Sequence, residues 1–185
     1  IKPIFMSING KAKKALIFDC DNTLWKGILG EDGINNIDMS AKTRDGSIFQ
    51  EIQSIALSLS KQGIIIGLCS KNNPEDVNDV IANHPDMVLQ DNQITIKQVN
   101  WSDKVTNIKK ISKKLSIGLD SLVFVDDSSF EVNLVKEHLP DVTILQVPEI
   151  LYEYPQMIRK NLGLFYNSSH SAEDGKKTEM YREHK

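Results

Sequence analysis

A chain of 185 residues can hold one domain with a sizeable core, or one domain and a tail. With 40% apolar and 25% charged residues, it falls among soluble globular proteins and away from disordered ones. A formal net charge of −3 gives no general attraction to nucleic acid or an anionic membrane; no apolar run approaches a bilayer span and no signal-peptide pattern opens the chain, so a cytoplasmic location is expected.

Taken in order, residues 1–13 read as a lead-in. Their first residue is Ile1 rather than methionine, which suggests a piece of a longer, multidomain chain. A first strand is expected at residues 15–18. The segment 25–41, "WKGILGEDGINNIDMSA", then breaks the regular pattern with glycines and short apolar pieces, as a small hairpin flap would. Ile48, Phe49, Ile52, Ile55, Ala56 and Leu59 recur at helical spacing, and Gly63 ends that helix before a second strand at 64–69. Asn73 is placed to cap the next helix, with Pro74 at its first position and Glu75 and Asp76 in its first turn. A short third strand is expected at 87–90.

From about Ser102 a helix shows Val105, Ile108, Ile111 and Leu115 on one side and Lys109, Lys110, Lys113 and Lys114 on the other. That lysine face reads as solvated, or as a dock for an acidic carrier protein. A fourth strand at 122–125 precedes Ser128 and Glu131, whose spacing is that of a capping box for a helix reaching His138. A fifth strand is expected at 142–147. Residues 14–163 thus form one domain, and 164–185 read as a linker or a partly helical tail. The strands are apolar on both faces, as in a parallel sheet covered on each side. The expected fold is α/β, a doubly wound Rossmann-like sheet with the small flap and no room for a large cap domain.

In such sheets the functional crevice lies at the carboxyl ends of the strands. Asp19 and Asp21 follow the first strand, Ser70 the second, and Asp126 and Asp127 the fourth, while Lys104 sits in the first turn of the helix near Ser102. Carboxylates crowded together repel one another unless a divalent cation holds them. Two cysteines and four histidines without zinc spacing leave hard oxygen ligands, which suit Mg²⁺. Mg²⁺, a serine and a lysine suit a phosphoryl group. One aspartate can attack it and a second can act as acid and base, with Thr23 hydrogen-bonding that acid. Cys20 reads either as a small core residue, which strand alternation favours, or as a nucleophilic thiolate.

"DCDNT" (Asp19 to Thr23), "LCSKNN" with Ser70, "WSDKVTNI" with Lys104 and "VFVDDSSFE" with Asp126 and Asp127 resemble, in order, the four motifs of the haloacid dehalogenase (HAD) superfamily. The resemblance spans roughly residues 14–148. It implies that Asp19 is the nucleophile and Asp21 the general acid and base. Ser70 and Lys104 would hold phosphoryl oxygens. Mg²⁺ would be bound by Asp19, the backbone carbonyl of Asp21 and Asp126, with Asp127 in support. The longer string "DCDNTLWKGILGEDG" is similar to the FkbH-like branch. That likeness implies a glyceryl transferase and phosphatase of polyketide biosynthesis. Such an enzyme would take D-1,3-bisphosphoglycerate, remove phosphate and load the glyceryl group onto an acyl carrier protein, with Cys20 a candidate carrier of the acyl group. A plain Mg²⁺-dependent phosphatase of small phosphoesters would use the same aspartates without Cys20. A non-catalytic binding module would need none of them.

Overall fold

The computed structural model describes residues 12–166. Most of the expected lead-in and nearly all of the expected tail lie outside the described residues. Five strands form one parallel sheet: β1 (Ala15–Phe18), β2 (Ile65–Ser70), β3 (Ile96–Val99), β4 (Leu122–Asp126) and β5 (Thr143–Gln146), in the order β3-β2-β1-β4-β5. Among the described residues six α-helices connect or flank them: α1 (Leu29–Asp32), α2 (Arg44–Lys61), α3 (Pro74–Asn83), α4 (Lys104–Leu115), α5 (Ser129–His138) and α6 (Tyr154–Lys160). The strand order reverses between β1 and β4, and at such a switch point an open parallel sheet leaves a crevice for a ligand.

Side-chain alternation along β1 divides the core in two. Leu16, Phe18 and Cys20 pack with Phe49, Ile52 and Ala56 of α2, Val77 and Val80 of α3, and Tyr154 and Ile158 of α6. Ala15 and Ile17 pack with Ile108, Ile111 and Leu115 of α4 and Val135 of α5. Helices therefore cover both faces, which explains why β1, β2 and β4 are buried along their whole length. Among the described residues no helix is long and apolar enough to cross a membrane.

Helix starts follow local chemistry. Thr43 caps α2 by accepting from the Gly46 amide at 3.0 Å, and Asp103 caps α4 by accepting from Thr106 at 2.8 Å. Ser128 caps α5 by accepting from the Glu131 amide, but the Glu131 side chain does not return the bond that a capping box requires. Asn73 stands at the N-cap of α3 without capping it; its side chain instead donates to Asp76 and accepts from the Trp101 indole.

The third strand differs from expectation. Residues 87–90 are irregular, although Met87 and Leu89 are buried, and the amides of Val88 and Leu89 donate to the Gln53 side chain rather than to a strand. The third strand is Ile96–Val99, whose Lys97 and Gln98 interrupt its apolar character because it lies at the sheet edge. The segment 25–41 is a compact flap. One antiparallel bridge, Lys26 to Asp38, closes it around the single turn of α1.

Candidate active site

Strand register sets the site. Phe18 of β1 is level with Val125 of β4, and the Asp19 amide donates to the Val125 carbonyl at 2.9 Å, so Asp19 and Asp126 leave the sheet side by side. Phe18 is also level with Leu68, which brings Ser70 to the same edge from β2. Lys104 arrives from the first residue of α4. Its ammonium lies 2.6 Å from Asp126 Oδ2 and 3.3 Å from Asp19 Oδ1. All three side chains are buried.

Asp19, Asp126 and Asp127 each place one carboxylate oxygen within 4.8 Å of the others. Burial pushes the Asp19 carboxyl well above the usual carboxylate range; Lys104 opposes this, while Asp126 and Asp127 add to it. Asp127 is also raised, by burial foremost, with a hydrogen bond to Asp19 opposing and the Asp126 charge adding. Burial works against the Lys104 ammonium, but Asp19 and Asp126 outweigh it and hold it protonated above the usual lysine value. Carboxylates raised by burial and by one another are relieved by a cation among them, and an all-oxygen donor set suits a hard divalent ion. Asp126 is held in place through its other oxygen, which accepts from the Ser128 amide at 3.0 Å.

Asp21 points elsewhere. Its Oδ1 accepts from the Trp25 indole at 3.1 Å and from the Leu29 amide at 3.0 Å, and its Oδ2 accepts from Asn72 Nδ2 at 3.1 Å. The same Asn72 nitrogen lies 3.2 Å from Ser70 Oγ. Trp25 is therefore both a fully buried anchor and a donor to the acid. Thr23 differs from expectation, since its hydroxyl donates to Asp127 Oδ1 at 3.3 Å and not to Asp21. The Thr23 carbonyl accepts from the buried Tyr154 hydroxyl at 2.8 Å, which ties α6 to the loop after β1.

Cys20 is fully buried in the core cluster on the face opposite Ala15 and Ile17, as alternation predicts. Burial foremost, with the Asp19 charge, pushes its thiol far up. Cys69 is likewise a buried free thiol. Sequence reasoning missed Asn72 and Glu131 as parts of this site. The first was visible only as a polar residue two places after Ser70, the second only as half of a helix cap.

The chain resembles solved structures at three levels of closeness. The N-terminal part of a Bacteroides fragilis protein, containing a phosphatase domain complexed with Mg, shares 41% identity at a TM-score of 0.85 over 91% of this chain and 44% of that one. A HAD-superfamily hydrolase of subfamily IA from Geobacter sulfurreducens shares 15% identity over 76% of this chain and 89% of its own, at a TM-score of 0.52. An aspartate-to-alanine mutant of a HAD family enzyme from Bacteroides thetaiotaomicron, in complex with magnesium and inorganic phosphate, shares 12% over 72% and 93%, at 0.51. The fold is that of the HAD superfamily. This HAD-like chain spans less than half the length of the Bacteroides fragilis chain it matches. No protein-family model and no curated protein matches it.

Proposed function

We propose that the chain is a Mg²⁺-dependent HAD-type phosphatase acting on a small phosphorylated substrate through an aspartyl-phosphate at Asp19. The observation that carries this reading is the convergence at the β1/β4 switch point: Lys104 against Asp126 and Asp19, with Asp127 completing an acidic trio. The Mg in the Bacteroides fragilis phosphatase domain supports it. Mg²⁺ held by Asp19, Asp126 and Asp127, with the Asp21 carbonyl, would neutralise the carboxylates and draw charge from the phosphoryl oxygens.

The residues of the chain divide the remaining work. Ser70 and Lys104 hold phosphoryl oxygens. An Asp19 carboxylate oxygen bonds to phosphorus as the bond to the leaving oxygen breaks, and Asp21 gives that oxygen its proton. Asp21 then takes a proton from water, whose oxygen attacks phosphorus and frees Asp19 and inorganic phosphate. Trp25, Leu29 and Asn72 set the direction of Asp21. The test is phosphate release from small phosphomonoesters with Mg²⁺, with chelator and with Asp19→Asn. Turnover should need both the metal and Asp19, and turnover surviving in Asp19→Asn overturns the mechanism.

The resemblance in the longer string around Asp19 supports a finer form: D-1,3-bisphosphoglycerate as substrate and transfer of its glyceryl group to an acyl carrier protein. The full burial of Cys20 and its raised thiol speak against it, because the thiolate is the form that attacks. Plain phosphatase chemistry is the reading the geometry favours. Cys20→Ser should then leave phosphate release intact. A hydroxylamine-labile glyceryl adduct on the wild type, absent from Cys20→Ser, would move the assignment to glyceryl transfer.

A further inference from the structure

Tyr154 opens α6, outside the stretch 14–148 that carries the four motifs, and it is fully buried in the core cluster that also holds Cys20. Its ring meets that of Phe49 edge to face, with centroids 6.0 Å apart. Phenylalanine would fill this apolar space as well, and a buried hydroxyl is costly unless it is bonded. The Tyr154 hydroxyl donates to the Thr23 carbonyl at 2.8 Å. Thr23 is what that bond holds in place.

Residues 20–24 make a tight turn after β1. The Thr23 and Leu24 amides both donate to the Cys20 carbonyl, at 3.1 and 2.9 Å, and Asn22 takes the left-handed conformation, with φ at 56°. Such a turn persists only where its surroundings fix it. Tyr154 fixes it at the Thr23 carbonyl, and Asn22 fixes it by accepting from the Gly27 amide at 2.8 Å. With both backbone polar groups of Thr23 engaged, its β-branched side chain keeps little freedom at χ1. The Thr23 hydroxyl is thereby aimed at Asp127 Oδ1, 3.3 Å away. Asp127 in turn places a carboxylate oxygen within 4.8 Å of those of Asp19 and Asp126. A line of contacts thus runs from α6 through Thr23 to the acidic trio. Burial foremost, then the charges of Asp19, Asp127 and Asp126, push the phenol well above its ordinary value, which keeps it a donor.

We infer that Tyr154 is a positioning residue of the metal centre, which acts through the Thr23 carbonyl to set the hydroxyl that holds Asp127 in the trio. This role rests on the Mg²⁺ site of the phosphatase reading above, and it extends that site to a helix that supplies no ligand.

The experiment titrates Mg²⁺ alone, by calorimetry, into wild type, Tyr154→Phe, Thr23→Val and the double variant. Tyr154→Phe removes one oxygen and keeps the ring against Phe49. Ile158→Val, which shortens a buried side chain one turn further along α6, is the control for a purely structural effect. Tyr154→Phe should weaken Mg²⁺ binding by about tenfold, the lower end for groups that orient metal ligands. Thr23→Val should weaken it at least as much. In the double variant the loss should be that of Thr23→Val alone, because the two groups act in series. Ile158→Val should bind as the wild type does. An unchanged Kd in folded Tyr154→Phe, a loss that adds in full to that of Thr23→Val, or an equal loss in Ile158→Val overturns the role of Tyr154. A wild type that binds no Mg²⁺ overturns the metal site itself, and this role with it. Since the readout is binding and not turnover, it decides the role of Tyr154 even if the protein hydrolyses no phosphomonoester offered to it.

Discussion

The side-chain amide of Asn72 stands 3.1 Å from Asp21 Oδ2 and is buried, which makes it the link between the proposed acid and the strand that carries Ser70. Its orientation follows from chemistry, because only the NH₂ end can face a carboxylate, and the same nitrogen reaches Ser70 Oγ at 3.2 Å.

Asn72→Ala should therefore lower kcat by about 10²-fold, the scale for a catalytic group displaced from its aim. Asn72→Asp should do at least as much harm, since it sets a like charge against Asp21. Steady-state kinetics beside thermal melts checks this: a kcat near wild type in a folded Asn72→Ala protein would remove Asn72 from the mechanism.

Mg²⁺ should stabilise the fold. Asp19 and Asp127 are raised by burial and neighbouring charge, and a cation at the trio removes that strain. With free Mg²⁺ at about 100 times its Kd, the gain is about 2.7 kcal/mol. That corresponds to roughly 2–4 °C in Tm per kcal/mol for a domain of this size. Chelator should reverse the shift and Asp127→Asn should shrink it. A melting temperature indifferent to Mg²⁺ in the wild type contradicts the site.

Gln53 should be a stability residue with no part in the chemistry. From the interior of α2 its Nε2 donates to the Leu24 carbonyl at 2.8 Å, while its Oε1 accepts from Val88 at 2.8 Å and Leu89 at 3.2 Å. Gln53→Leu orphans these three backbone groups, those of Leu24 and Leu89 in the core and that of Val88 half-buried, at a cost on the order of 3 kcal/mol. Urea unfolding should show a lower midpoint at unchanged slope, and an unchanged midpoint would mean that water or rearrangement replaces all three bonds.

Asp103 should contribute stability with a defined pH dependence. The Thr106 amide and hydroxyl foremost, with Lys71, hold its carboxyl below the ordinary value of 3.8. A carboxyl lowered in the folded state stabilises fully above its unfolded pKa, and that contribution is lost as pH falls through the folded one. Wild type should exceed Asp103→Asn in stability at neutral pH. The difference should close only below about pH 4. A difference that persists unchanged in acid would show that the cap acts without its charge.

Much of the fold was legible because β1, β2 and β4 lie inside the sheet with both faces covered, and a strand in that setting must be apolar throughout. Edge strand β3 escaped notice since Lys97, half-buried, and Gln98, polar though buried, interrupt its apolar run. Residues 87–90 misled because burial does not by itself mean strand pairing, the amides of Val88 and Leu89 being taken by Gln53. Asp19, Ser70, Lys104 and Asp126 could be placed from sequence because each follows a strand or opens a helix, and parallel strands bring those ends to one edge.

By itself, then, the sequence determined the alternation of elements, the edge at which they deliver their polar residues, and the inward turn of Cys20, all of which follow from local periodicity. Tertiary structure alone decided which polar group meets which. Thr23 bonds Asp127 across 104 residues of chain, Asn72 bonds Asp21 across 51, and Glu131 stands between two lysines from different elements. Partners so distant are set by strand register and by helices packing from opposite sides of the sheet, and no local pattern in the chain encodes the few tenths of a nanometre that separate a hydrogen bond from a miss.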